Sequence, residues 1–110
     1  MEKDEQLIFL AEKYAEAWRK LDAEIIFPFL ADDFTYGSMW VFQELDLEGY
    51  KTYLRGKFDA IRKTDSAPDV KTGYSENGDV CVGLNQGGRN AYIHLKEENG
   101  KLKSAYMMAF

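Results

Sequence analysis

The sequence predicts an α+β domain in which N-terminal helices pack on one face of a curved, mostly antiparallel sheet. Three observations point there. Apolar residues recur at helical spacing early in the chain and again after Asp46. Alternating strand patterns occupy most of the rest. Turn dipeptides, Asn77-Gly78, Gly87-Gly88 and Asn99-Gly100, then divide the C-terminal part into regular segments, since Asn and Gly tolerate the positive φ of hairpin turns.

The first element is a helix over about residues 4–20. Leu7, Leu10, Ala11, Tyr14, Trp18 and Leu21 form its apolar stripe, and Glu12, Lys13, Glu16, Arg19 and Lys20 its polar face, with Glu16 placed to pair with Lys20. Asp22 is a candidate N-cap for a short second helix through Ile25 and Ile26, which Pro28 should end because it lacks a backbone N–H. From Asp33 the pattern becomes that of strands. Phe34, Tyr36 and Ser38 share a face, a turn is expected near Gly37-Ser38, and Val41, Phe42 and Leu45 suggest a second strand.

Leu47, Tyr50, Leu54, Phe58 and Ile61 then give a third helix, capped by Asp46, with Tyr53 beside the stripe and Gly49 and Gly56 permitting close approach to a sheet. Pro68 ends the loop beginning at Thr64. Four strands are expected over 69–76, 79–86, 89–96 and 101–110. No repeat, low-complexity segment or linker interrupts this order, so residues 1–110 are expected to form one domain.

Composition limits the function classes. The chain is 45% hydrophobic, 15% aromatic and 30% charged, as globular proteins are. A net charge of −5, with 14 basic residues scattered along the chain, disfavours nucleic acid, which is bound through clustered Lys and Arg. No apolar run approaches the roughly 20 residues of a membrane span, and the acidic N-terminus lacks a signal peptide's basic region, so a cytoplasmic location without membrane contact is expected. One cysteine, Cys81, and one histidine, His94, leave no Cys/His zinc site within a subunit, and no loop has the spacing of a carboxylate metal site. Neither a dinucleotide fingerprint nor a P-loop occurs, so no nucleotide cofactor is expected.

The string Ala31-Asp32-Asp33-Phe34-Thr35-Tyr36-Gly37-Ser38, following a helix that carries Tyr14 and Trp18, resembles the opening of the nuclear transport factor 2-like superfamily. The whole element order resembles that superfamily's cone-shaped, cystatin-like fold. The resemblance implies an interior pocket and, in many members, a homodimer. Strand parity, applied to that fold, makes the pocket lining Tyr14, Trp18, Phe34, Tyr36, Ser38, Tyr53, Phe58, Ile93, Tyr106 and Met108. Cys81, Gly83, Tyr92, His94, Ala105 and Met107 fall on the other sheet face, an apolar patch suited to a homodimer through the open sheet.

The segment from Lys13 to Ser38 further resembles the steroid isomerase and polyketide cyclase-like branch. In those isomerases a helix-borne tyrosine and a protonated aspartic acid stabilise an enolate while a second aspartate moves the proton. Matched by position, Tyr14 supplies the tyrosine, but Ser38 stands where the base is needed and Ile93 where the acid is needed. A neutral serine accepts protons poorly, so that chemistry is not expected. His94, by parity, faces away from the pocket, and a Cys81/His94 pair reads as packing. Asp32, Asp33, Asp46 and Glu48 have turn or cap roles, and Arg89 has no inward Asp to form an epoxide hydrolase-like set. The expected function is binding of a small, largely apolar molecule, oriented by Tyr14 and Tyr36 or Ser38, with no catalytic residue assigned. The alternative is a non-catalytic dimerisation or interaction module whose core is filled by its own aromatics.

Overall fold

The computed structural model describes residues 2–39, 41–64, 68–74, 80–86 and 88–109. Helix α1 (Glu2–Lys20) is followed by two 3₁₀ turns, strands β1 (Leu30–Ser38) and β2 (Val41–Leu45), helix α2 (Leu47–Thr64), and strands β3 (Asp69–Tyr74), β4 (Val80–Gln86), β5 (Arg89–Glu98) and β6 (Lys101–Ala109). The six strands form one sheet in the order β2-β1-β6-β5-β4-β3. All neighbours are antiparallel except β1 and β6, which run parallel and join the N-terminal pair to the C-terminal meander. This α+β architecture is the one expected, with both helices covering one sheet face.

Helix α1 and the Leu21 that follows it bury Leu10, Ala11, Tyr14, Trp18 and Leu21 of the predicted stripe, with Ala15 and Ala17 also buried and Leu7 half-buried. It ends in a left-handed residue, Leu21 (φ 53°), with Asp22 N–H donating to Ala17 O and Leu21 N–H to Trp18 O. These are the two bonds of a Schellman cap, formed here without glycine because the Leu21 side chain is buried. The expected second helix is two 3₁₀ turns, Ala23–Ile25 and Phe27–Phe29. Asp22 caps the first by accepting from Glu24 N–H at 3.1 Å, and Pro28 sits in the second, where its missing donor prevents continuation as an α-helix.

Strand β1 runs through Ser38, so the turn comes after it rather than at Gly37-Ser38. Its Leu30, Phe34, Tyr36 and Ser38 are buried, while Asp32 and Asp33 are exposed where the pairing with β6 is irregular. Helix α2 buries Tyr50, Leu54, Phe58 and Ile61, and Asp46 caps it by accepting from Gly49 N–H at 2.8 Å. Gly56 does not approach the sheet as expected: it is exposed and faces open space. Asn99 and Gly100 both take positive φ (55° and 81°), as a tight β5–β6 hairpin requires. The Asn77-Gly78 turn, and Gly87 of Gly87-Gly88, lie outside the described residues.

One irregularity redirects the sheet's faces. Lys96 pairs with Ser104 but Glu97 with Leu102, so β6 carries an extra residue, Lys103, at a bulge. Two successive residues, Lys103 and Ser104, then separate the inward Leu102 from the inward Ala105, and every later side chain changes face relative to strict alternation. Ala105 (2% exposed) and Met107 (6%) are inside, and Tyr106 (46%) is outside. The parity reading that placed Tyr106 and Met108 inside, and Ala105 and Met107 outside, is corrected on this point.

Candidate functional site: an interior tyrosine cluster

Two cross-strand rows of the inner sheet face position the interior side chains. One runs Val82–Ile93–Met107–Ser38 across β4, β5, β6 and β1; the other runs Leu95–Ala105–Tyr36–Leu45 across β5, β6, β1 and β2. Tyr36 therefore rises from β1, next to the edge strand β2, toward α2. There its ring lies 4.8 Å from that of Tyr50 and 5.4 Å from that of Tyr53, centroid to centroid. Phe34 meets Tyr50 from the other side at 5.0 Å. Tyr14, brought in by α1, shares a hydrogen bond with Tyr50, hydroxyl to hydroxyl, at 2.5 Å. One turn along α1, Trp18 packs edge-on against Phe58 of α2, centroids 4.9 Å apart.

The predicted lining residues thus divide into two sets. Tyr14, Trp18, Phe34, Tyr36, Ser38, Tyr53, Phe58 and Ile93 lie on the helix-covered side, all buried except the half-buried Tyr53. Tyr106 and Met108 do not join them, because the β6 bulge turns both outward. Met107 takes the inner place instead, its Sδ accepting from the Tyr36 hydroxyl at 3.9 Å. Tyr50 is a central member that sequence reasoning placed only in the apolar stripe of the helix. Its spacing three residues before Tyr53 was the available signal, but only the packing of α2 against α1 brings it to Tyr14.

Burial sets the electrostatics. The Tyr14 hydroxyl is pushed up to about 12 by burial, opposed by its hydrogen bond to Tyr50 and by the neighbouring Trp18 indole. Burial also raises Tyr36, reinforced by Tyr14 and Tyr53, and raises Tyr50, reinforced by Tyr14. All three are neutral hydroxyls at ordinary pH, able to donate a hydrogen bond and unable to serve as bases. The indole N–H of Trp18, 3% exposed, is buried without a hydrogen bond in proper geometry to any described residue.

Among the described residues, Ser38 is the polar side chain of the buried set and no Asp or Glu accompanies it. No group of three His, Cys, Asp or Glu side chains stands close enough to hold a metal ion among those residues. Asp33 pairs with Lys103 at the surface, which lowers the Asp33 carboxyl, and Glu24 pairs with Arg55 to similar effect.

The outer face carries the cross-strand row Cys81–His94–Tyr106–Gly37. Cys81 and His94 are partners as the strand pattern suggested, but the Cys81 thiol is buried and His94 half-buried. Gly37 makes room for Tyr106, whose ring would lie 3.1 Å from a Cβ there. Ala105 and Met107 are not part of this patch; Tyr106 and Met108 replace them. No described helix is long and apolar enough to cross a membrane.

Neither a family model nor a curated protein matches the sequence. Solved structures do match the fold. A SnoaL-like protein of unknown function from Burkholderia thailandensis is 18% identical, with 96% of this chain and 95% of that one covered at a TM-score of 0.76. A putative ketosteroid isomerase from Kribbella flavida is 17% identical, with 96% and 78% covered at 0.68. A nuclear transport factor 2-like protein of unknown function from Cytophaga hutchinsonii is 16% identical, with 92% and 87% covered at 0.63.

Proposed function

From the nuclear transport factor 2-like fold of this chain, we propose that it binds a small, largely apolar molecule carrying a hydrogen-bond acceptor among Tyr14, Trp18, Tyr36, Tyr50 and Tyr53. The observation that carries the proposal is the Trp18 indole N–H, buried beside the Tyr14 hydroxyl, whose pKa it lowers, without a hydrogen bond in proper geometry to any described residue. An unsatisfied buried donor costs about 1–3 kcal/mol, and a ligand oxygen would remove that cost. The Tyr14–Tyr50 hydroxyl pair and the Tyr36 hydroxyl, whose acceptor is a weakly basic sulfur, add donors around an aromatic wall. Half-buried Tyr53 is the side chain that must yield to admit the molecule. Neutral donors without a base suit binding and orientation more than proton transfer.

The test is native mass spectrometry of the purified protein, together with titration by acetophenone and acetonaphthone as acceptor-bearing aryl probes. A retained small molecule, or saturable probe binding weakened by Tyr14→Phe, supports the proposal. A protein that retains nothing and binds neither probe contradicts it.

A second reading is a self-association module with a filled interior. It draws on the near-complete burial of Tyr14, Tyr36 and Tyr50 and on the exposed outer rings of Tyr92 and Tyr106. Sedimentation of the wild type against Tyr106→Glu tests it: a dimer dissociated by the substitution supports this reading, and a monomeric wild type removes it.

A further inference from the structure

The outer sheet face holds a concavity, remote from the tyrosine cluster. It is a shallow dish of about 380 Å³ floored by β3, β4 and β5, Leu84 among the floor residues, and lined by Asp69, Lys71, Gly83, Asn85, Asn90 and Tyr92. Register explains why these six converge. Asp69 pairs with Asn85 and Asn85 with Asn90; Lys71 pairs with Gly83 and Gly83 with Tyr92. Paired residues project to the same side, so all six stand on one face, while the intervening Val70, Leu84 and Ala91 point to the helices.

The dish has a built geometry. Gly83 has no side chain, and the Tyr92 ring leans over it, its Cε1 and Cδ1 carbons 3.5 and 3.6 Å from where a Cβ would be. The tyrosine is 38% exposed. A flat aromatic surface is thereby held near the sheet. Two residues along each strand, Asn85 Nδ2 donates to Asn90 Oδ1 at 2.6 Å. That bond fixes both amides and turns the Asn85 carbonyl and the remaining Asn90 N–H bonds toward other partners. Asp69 and Lys71 add an acceptor and a donor from the edge strand, with no net charge between them.

We propose that this dish is a binding site for a neutral pyranose sugar. A pyranose has an apolar C–H face and a rim of hydroxyls that each donate and accept. The Tyr92 ring matches the face, and the two amides with the Asp69/Lys71 pair match the rim. A net-neutral rim gives an anionic or cationic ligand no charge advantage. The volume admits one or two sugar rings, and the shallow shape leaves the rest of an oligosaccharide in water. This site is separate from the interior one, and neither needs the other.

The test is nitrogen–proton NMR of the labelled protein titrated with maltose, cellobiose, lactose and diacetylchitobiose, with mannose 6-phosphate as the charged comparison. At least one neutral sugar is expected to move the Asn85 and Asn90 side-chain amide signals saturably, leaving the Trp18 indole signal unmoved. Tyr92→Ala is expected to weaken binding about tenfold or more and Tyr92→Phe to retain it, with Asn85→Ala as the independent variant should Tyr92→Ala fold poorly. Silence across the neutral panel overturns the proposal. So does binding unchanged in folded Tyr92→Ala, a preference for the phosphorylated sugar, or a dimer that buries Tyr92 and excludes sugar.

Discussion

The hydroxyls of Tyr14 and Tyr50 lie 2.5 Å apart in the protein interior, a polar link between α1 and α2 surrounded by aromatic rings. Removing one partner leaves the other buried and unsatisfied, whereas removing both leaves apolar rings of nearly the same shape. Tyr14→Phe or Tyr50→Phe is therefore expected to cost about 1–3 kcal/mol in denaturant unfolding, and the double substitution to cost less than the sum. Additive losses would show that the two hydroxyls are not coupled.

The same burial makes stability depend on alkaline pH. Tyr14 has its pKa raised from 10.0 to about 12 in the folded protein, so the native state holds this proton more tightly than the unfolded chain. Its contribution, on the order of 2–3 kcal/mol, is fully present below pH 10 and is lost as pH climbs through about 12. Tyr36 and Tyr50, also raised, add to the loss in the same direction. Unfolding free energy should be flat in this contribution near neutrality and fall steeply above pH 10, with tyrosinate absorbance from the cluster appearing together with unfolding. Ionisation of these three groups at their ordinary pKa in a folded protein would contradict the packing described.

The β6 bulge gives opposite expectations for adjacent residues. Met107 is buried against Tyr36 and Ile93, while Tyr106 is exposed on the other face. Met107→Lys should destabilise by about 3 kcal/mol or more, and Tyr106→Lys by less than about 1 kcal/mol. A reversed pair of values would restore strict alternation and remove the bulge.

Edge strand β3 is tied to α1 by Arg19, whose Nη2 and Nε donate to Val70 O at 2.9 and 3.3 Å. Arg19→Ala should lower stability by about 1 kcal/mol and speed amide exchange in 69–74 more than in the central strands. Uniform acceleration across the sheet would argue against a local tie.

Much of the fold was legible because local chemistry states it. The α1 stripe, the Asp46 cap and the Asn99-Gly100 turn each have their sequence signal within a few residues. Pro28 marked where a helix must fail, but not that two 3₁₀ turns would replace it. The interior tyrosine cluster was half legible. The burial of Tyr14, Trp18, Phe34 and Tyr36 follows from periodicity and the resembled fold, whereas the place of Tyr50 depends on how α2 sits against α1, and that of Met107 on one extra residue at Lys103. A bulge changes parity without changing composition, so alternation read along 101–110 assigned Tyr106 and Met108 to the wrong face. The outer dish was invisible for a related reason: Asp69, Lys71, Asn85, Asn90 and Tyr92 come together only through the pairing of three strands.

The Trp18 indole N–H offers the most direct test of the interior site, because a ligand acceptor beside Tyr14 must change its environment. Followed by nitrogen–proton NMR as acetonaphthone is added, the Trp18 indole signal is expected to shift downfield and saturate, and to do so more weakly in folded Tyr14→Phe. An indole signal that stays fixed while the protein remains folded and the probe remains in solution would contradict binding at the tyrosine cluster.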